Sequence, residues 1–144
     1  MKSNTNTRCW VHLIWGTDNS KKYFANYDLR KAVSKYFQKY SASNNILMEC
    51  NYVNADHVHM LVDLPDRLSL NEIAALFKNS SADWINISNL LSEHFNWGEC
   101  FSAFSVSQSN VDAVKKYILS QDELHRSESY EEEINHFFEG YGII

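Results

Sequence analysis

With 144 residues, four glycines, one proline and 44% hydrophobic content, the chain is not disordered and reads as a single domain over residues 1–144. The net charge of −5 speaks against nucleic acid, yet Lys2, Arg8, Lys21, Lys22, Arg30, Lys31, Lys35 and Lys39 face only Asp18 and Asp28 in the first part of the chain, and a local basic surface suffices to meet phosphates. No apolar run approaches the roughly 18 residues of a membrane span, the start from Met1 to Thr7 is polar, and Cys9, Cys50 and Cys100 are odd in number and widely spaced. The expectation is a cytoplasmic protein with reduced cysteines and no membrane partner.

Arg8 to Gly16 predicts a nearly continuous apolar first strand, followed by a polar loop with Lys21 and Lys22. Asn26 caps a helix whose Leu29, Val33, Tyr36, Phe37 and Tyr40 share one face, the opposite face being basic. Asn44 to Val53 reads as a second strand, and the turn Asn54-Ala55-Asp56 makes the run from His57 to Val62 its hairpin partner. Ser69 to Glu72 is a capping box opening a long helix with Leu70, Ile73, Ala74, Phe77, Trp84, Ile85 and Leu91 on its apolar stripe. A last strand is placed at Phe101 to Val106, then a helix from Val111 to about Gln121 capped by Ser109, then a second capping box, Ser129 to Glu132, opening an acidic helix. The order strand, helix, strand, strand, helix, strand predicts an α+β fold of the ferredoxin-like (RRM-like) split βαβ kind, with a four-stranded antiparallel sheet and extra C-terminal helices.

Two pairs of residues carry chemistry. In a strand, positions i and i+2 share a face, so His57 and His59 stand side by side, opposite Val58, Met60 and Val62. Two imidazoles on one rigid strand are half of a metal site. On the helix after Val111, Tyr117 and Gln121 lie one turn apart, a phenol that can be a nucleophile beside an oxygen that can complete the site, with Lys115 and Lys116 alongside for phosphate. Spacing alone also allows histidines at a strand end, a core tyrosine and a solvated glutamine.

These stretches resemble the single-tyrosine HUH transposases, the insertion-sequence enzymes and their repeat-associated relatives. The D-H-x-H-x-L-V strand matches Asp56 to Val62, K-x-S-S-x-W-I-N matches Lys78, Ser80, Ser81, Trp84, Ile85 and Asn86, A-F-S-V-S matches Ala103 to Ser107, and Y-I-x-x-Q matches Tyr117, Ile118 and Gln121. The first strand and an F-x-x-E-like segment from Tyr130 to Glu133 also fit, so the resemblance covers nearly the whole chain. It implies His57, His59 and Gln121 as ligands of Mg²⁺ or Mn²⁺, Tyr117 as the nucleophile, and Lys21, Lys22, Lys78, Lys115 and Lys116 as DNA contacts. It also implies cleavage and rejoining of single-stranded DNA at hairpin or palindromic ends through a 5′-phosphotyrosine, by a homodimer whose tyrosine helix can act in trans. The chain departs from that pattern at Cys100-Phe101-Ser102, where relatives carry glycines, at Leu124-His125, where many carry two histidines, and at Lys21, where arginine is common. The competing readings are a non-catalytic single-strand-binding module, stacking bases on its aromatics, and a metal nuclease that uses water.

Overall fold

A computed structural model describes residues 5–143; Lys2 of the basic N-terminal set lies outside them. Four strands, β1 (Trp10–Gly16), β2 (Met48–Val53), β3 (His57–Asp63) and β4 (Ser102–Val106), form one antiparallel sheet in the order β2-β3-β1-β4. Helices α1 (Tyr27–Ser43) and α2 (Leu70–Ile87) fill the two crossovers, as the ferredoxin-like order requires. Three further helices follow β4: α3 (Val111–Leu119), α4 (Gln121–Leu124) and α5 (Tyr130–Gly140).

Local chemistry sets the boundaries. The Asn26 side chain accepts from Leu29 N at 3.1 Å, and Ser69 and Ser129 each form the full reciprocal capping box with Glu72 and Glu132. Past their C-caps, α1 and α2 each place an asparagine in the left-handed region, Asn45 at φ 55° and Asn89 at φ 51°. The N–H groups of Ile46 and Leu90 then close onto Ser41 O and Ile85 O at 2.9 and 3.2 Å, the Schellman pattern.

Two expectations at the end of the fold are corrected. Ser109 does not cap α3: a short 3-10 turn, Gln108–Asn110, leads into it, and Ser109 Oγ meets Ser107 Oγ at 3.2 Å instead. Nor does one helix run to Gln121. It breaks at Ser120, whose hydroxyl donates to Lys116 O at 2.8 Å while its N–H bonds Tyr117 O at 3.1 Å, tightening the last turn. Leu70, expected on the apolar stripe of α2, is 40% exposed.

Strand alternation divides the molecule into two layers. Val11, Leu13 and Trp15 of β1 and Val58, Met60 and Val62 of β3 point toward α1 and α2, where they pack with Phe24, Val33, Phe37, Ile73, Phe77, Ile85, Phe95 and Trp97. The other face of the same strands carries Trp10, His12 and Leu61 with His57 and His59, and it is covered by α3 through Val111, Val114 and Ile118. Helix α3 does not cover this face alone. It shares the task with α5, whose Phe137 stacks on Phe104 at 5.0 Å between centroids and meets His12 edge-on at 5.2 Å.

Candidate active site and metal centre

His57 and His59 sit on β3, an inner strand, paired in register with Gly16 and Ile14 of β1. Both are buried, at 1% and 0% exposure. Each ring is held from behind. The Nδ1 of His57 lies 2.7 Å from Asp56 Oδ1, and the Nδ1 of His59 lies 2.8 Å from Nε2 of the buried His12 on β1. Their Nε2 atoms point into the space under α3, α4 and α5.

Gln121 is the first residue of α4 and wholly buried. Its amide donates to Glu133 Oε2 at 2.7 Å, and its carbonyl oxygen lies 3.3 Å from His57 Nε2 and accepts from Asn54 Nδ2 at 3.1 Å. The break at Ser120 turns it inward while keeping Tyr117 one turn away. Tyr117 projects from α3 and donates its hydroxyl to Glu133 Oε2.

Glu133 is the residue sequence reasoning did not assign. Projecting from α5 and 1% exposed, it is the hub of the cluster. Its Oε1 lies 3.1 Å from His57 Nε2, 3.2 Å from His59 Nε2 and 2.9 Å from His125 Nε2. His125, just past α4, has its Nδ1 2.6 Å from the carbonyl of Glu128 and its Nε2 2.9 Å from Gln121 Oε1. The ligand atoms of His57, His125 and Glu133 all lie within 4.8 Å of one another, as in a cation site. The available signal was the F-x-x-E-like match over Tyr130 to Glu133, which placed the glutamate in a helix but not over the sheet. Tyr130 clamps the assembly, its ring stacked on His57 at 4.2 Å. Gly16 makes room for it, since a Cβ there would lie 3.0 Å from the Tyr130 ring.

The electrostatics follow from this packing. Burial works against charge on His57, but Asp56 and Glu133 outweigh it and raise its pKa above the ordinary histidine value. His59, buried and facing only one carboxylate and other imidazoles, is pushed down to about 4. Burial alone would raise the Glu133 carboxyl, but hydrogen bonds from His57 and His59 hold it far below the usual carboxylate range. Burial and the adjacent Glu133 push the Tyr117 phenol upward, so with no cation present the phenolate is disfavoured.

The lysines are spread more widely. Lys22 is exposed and lines a cleft of about 350 Å³ that reaches His57, His125 and Tyr130. Lys21 pairs with Glu93, and Lys115 reaches Glu49 at 3.1 Å. Lys116 is exposed on α3 and makes no ion pair among the described residues. Lys78 is half-buried, its Nζ donating to the carbonyls of Gly98, Glu99 and Cys100 at 2.7, 3.2 and 3.3 Å, so its charge clasps the loop before β4. Among the described residues no helix is long and apolar enough to cross a membrane.

Comparison with known proteins gives a consistent result. Residues 5–121 match the family model described as IS200-like transposase. No match was found among curated proteins. Among solved structures, a candidate transposase from Deinococcus radiodurans R1 superposes with a TM-score of 0.65 at 17% identity, covering 84% of this chain and 96% of that one. A REP-associated tyrosine transposase bound to a REP hairpin superposes with a TM-score of 0.61 at 12% identity, covering 87% of this chain and 74% of that one. At these identities the likeness shows the fold.

Proposed function

Because the chain belongs to the family of IS200-like transposases, whose model spans residues 5–121, we propose that it cuts and rejoins single-stranded DNA by transesterification through Tyr117. The observation that carries this reading is the convergence of Tyr117, Gln121 and His57, from three separate elements, on the one carboxylate of Glu133. The repeat-associated neighbour holds a DNA hairpin, and hairpin-forming ends are the substrate we propose for this chain.

The phenolic oxygen of Tyr117 attacks the scissile phosphorus, and the bond from phosphorus to the 3′-oxygen breaks. A 5′-phosphotyrosine and a free 3′-hydroxyl result, the proton lost by the phenol being balanced by the one gained at the 3′-oxygen. Glu133 Oε2 already accepts the phenol's hydrogen bond, so it orients the nucleophile and lies where that proton is first released. Phosphate reaches Tyr117 from a second cleft, of about 290 Å³, that opens between Tyr117, His136 and Tyr141. The 3′-hydroxyl of another end then reverses the step. One phosphodiester is made for each one broken, so no nucleotide triphosphate is consumed.

The donor set of imidazole nitrogens with amide and carboxylate oxygens fits Mn²⁺, and Mg²⁺ with water completing its shell. His57, Gln121 and His59 would hold the ion, and it would supply positive charge for the phosphate oxygens in the transition state. Of the five lysines that the resemblance implies as DNA contacts, Lys22 and Lys116 make no ion pair among the described residues and are available to meet backbone phosphates.

The wild-type chain with single-stranded DNA and Mn²⁺ or Mg²⁺ is expected to give a covalent protein–DNA species stable on denaturing gels, mapped to Tyr117 by mass spectrometry. Tyr117→Phe removes one hydroxyl, keeps DNA binding and loses the adduct. Cleavage surviving in that variant would identify a water-using nuclease. A wild-type chain that binds DNA without ever cutting it would be a binding module.

One chain brings its own tyrosine to its own histidines. A homodimer that exchanged α3 would recover adduct when Tyr117→Phe and His57→Ala chains are mixed. The cis geometry predicts no recovery, whatever the oligomeric state in light scattering.

A further inference from the structure

Helix α5 brings more to the nucleophile than Glu133. Helical residues three, four and seven positions apart share a face. The turns after Glu133 therefore present His136, Phe137 and Gly140 to the same side, and Tyr141 follows at the C-cap. These residues wall the cleft of about 290 Å³ that opens beside Tyr117.

The aromatic part of that wall is fixed in place. Phe137 meets the Tyr117 ring edge-on, with centroids 5.6 Å apart, and stacks on Phe104 of β4 at 5.0 Å. Tyr141 stacks on the same Phe104 at 4.7 Å and donates its hydroxyl to Ser105 O at 3.0 Å. The ring is thus held at both ends, yet Tyr141 is 49% exposed. An aromatic side chain already immobilised and still half in water can stack a flat ligand at little further entropic cost.

Charge narrows the ligand. The cleft holds the carboxylates of Glu128 and Glu133 and no lysine or arginine, and His136 is paired with Glu128 at 2.5 Å. Beyond the scissile phosphate itself, such walls disfavour a further phosphate and suit a neutral ring. Cations, Lys22 and Arg30, line the other cleft, the one that reaches His57. Position then names the ring. Once the Tyr117 oxygen bonds to phosphorus, the nucleotide carrying that phosphate on its 5′-oxygen has its base only one sugar away. A cleft of about 290 Å³ stands at the lower end of ligand sites, about 300 Å³, and has room for one nucleoside.

We propose that this pocket binds the base of the nucleotide whose 5′-phosphate becomes joined to Tyr117, stacking it along Tyr141 and Phe137. Helix α5, beyond the 5–121 family match, then positions the strand on the 3′ side of the cut. The proposal rests on reading Tyr117 as the nucleophile and adds the base contacts to it.

Gly140 provides the test, because a Cβ there would meet nothing within 4 Å. Gly140→Phe fills the pocket without displacing a neighbour. Glu139→Phe, exposed on α5 and outside the pocket, is the control. Folding is checked by circular dichroism. Each full chain is incubated with Mn²⁺ and a random-sequence pool of single-stranded DNA, and the adduct at Tyr117 is quantified. Gly140→Phe is expected to lose about tenfold or more of the wild-type yield, as loss of a stacked base does, and Glu139→Phe less than twofold. Wild-type yield in Gly140→Phe, or an equal loss in Glu139→Phe, overturns the proposal.

A second readout needs no chemistry. The Tyr117→Phe chain is irradiated with pools carrying 5-iododeoxyuridine or 8-azidodeoxyadenosine, and the crosslinked residues are mapped by mass spectrometry. Crosslinks at His136 or Tyr141 support the proposal, and crosslinks confined to the cleft of Lys22 and Tyr130 overturn it. Should Gly140→Phe fail to fold, this map decides alone. Pocket crosslinks with no adduct from wild type keep the base site and sink the nucleophile. An adduct indifferent to Gly140→Phe does the reverse.

Discussion

The two faces of the sheet are built from the same strands and could hardly differ more. Toward α1 and α2, β1 and β3 present Val11, Leu13, Trp15, Val58, Met60 and Val62 to a ring of aromatics, with Trp15 against Phe37 and Trp97, each at 5.8 Å and 87°. Toward α3 and α5 the alternate residues present three imidazoles to a carboxylate, an amide and a phenol. Burial is near complete on both sides. On the first face it removes apolar area from water and stabilises the fold. On the second it desolvates groups that would rather be wet, and only mutual hydrogen bonds offset that cost. The lesson is a division of labour within each strand: one set of side chains holds the scaffold rigid enough for the other set to be held against its solvation preference.

The largest expected effect on stability lies on the apolar face. Phe37 is fully buried and touches Trp15, Phe77 and Trp97, so Phe37→Ala leaves a cavity that costs about 3–5 kcal/mol in urea unfolding. Next comes His57→Ala on the opposite face. There Glu133 keeps Tyr117, Gln121, His59 and His125 as partners, so the expected loss is smaller, about 1–2 kcal/mol. Adduct formation, by contrast, should fall by at least about 100-fold, since a proposed ligand of the cation is gone. If His57→Ala costs as much stability as Phe37→Ala, the polar face is carrying the fold and the division fails.

Periodicity made the apolar face legible. Leu29, Val33, Tyr36, Phe37 and Tyr40 could be assigned to one helix side from spacing alone, and all five pack in that core. The period-two strand rule put both histidines on the far face, where they are. What spacing could not give was the partner of that face. Helix α5 reaches it through a connection, Ser129 N-capping the helix, whose direction no local signal encodes, so Glu133 looked like one more acid in an acidic segment. The K-x-S-S-x-W-I-N match carries a different lesson. Lys78 clasps the carbonyls of 98–100, Ser81 accepts from Trp97 Nε1 at 2.8 Å, and Asn86 binds both backbone groups of Phe95 at 3.0 and 2.8 Å. This stretch of the family resemblance holds the loop before β4.

The smallest expected effect sharpens the comparison at its rim. Lys22 and Lys21 are neighbours in sequence and both exposed, yet their settings differ. Lys21 is paired with Glu93 and lies 5.1 Å over the Tyr23 ring, so its charge is already answered. Lys22 has no ion pair among the described residues and lines the cleft that leads to His57 and Tyr130. A strand entering there would release one counterion at Lys22 and would have to break the Glu93 pair to gain the same at Lys21. Lys22→Ala is therefore expected to weaken single-stranded DNA binding several-fold at low salt and to flatten the log–log salt dependence by roughly 0.7. Lys21→Ala should change the slope by less than half as much. Binding isotherms by fluorescence anisotropy across a salt series would measure both. Equal slopes for wild type and Lys22→Ala would confine the DNA path to Lys116 and the opening beside Tyr117, leaving this cleft out of it, without touching the assignment of the nucleophile.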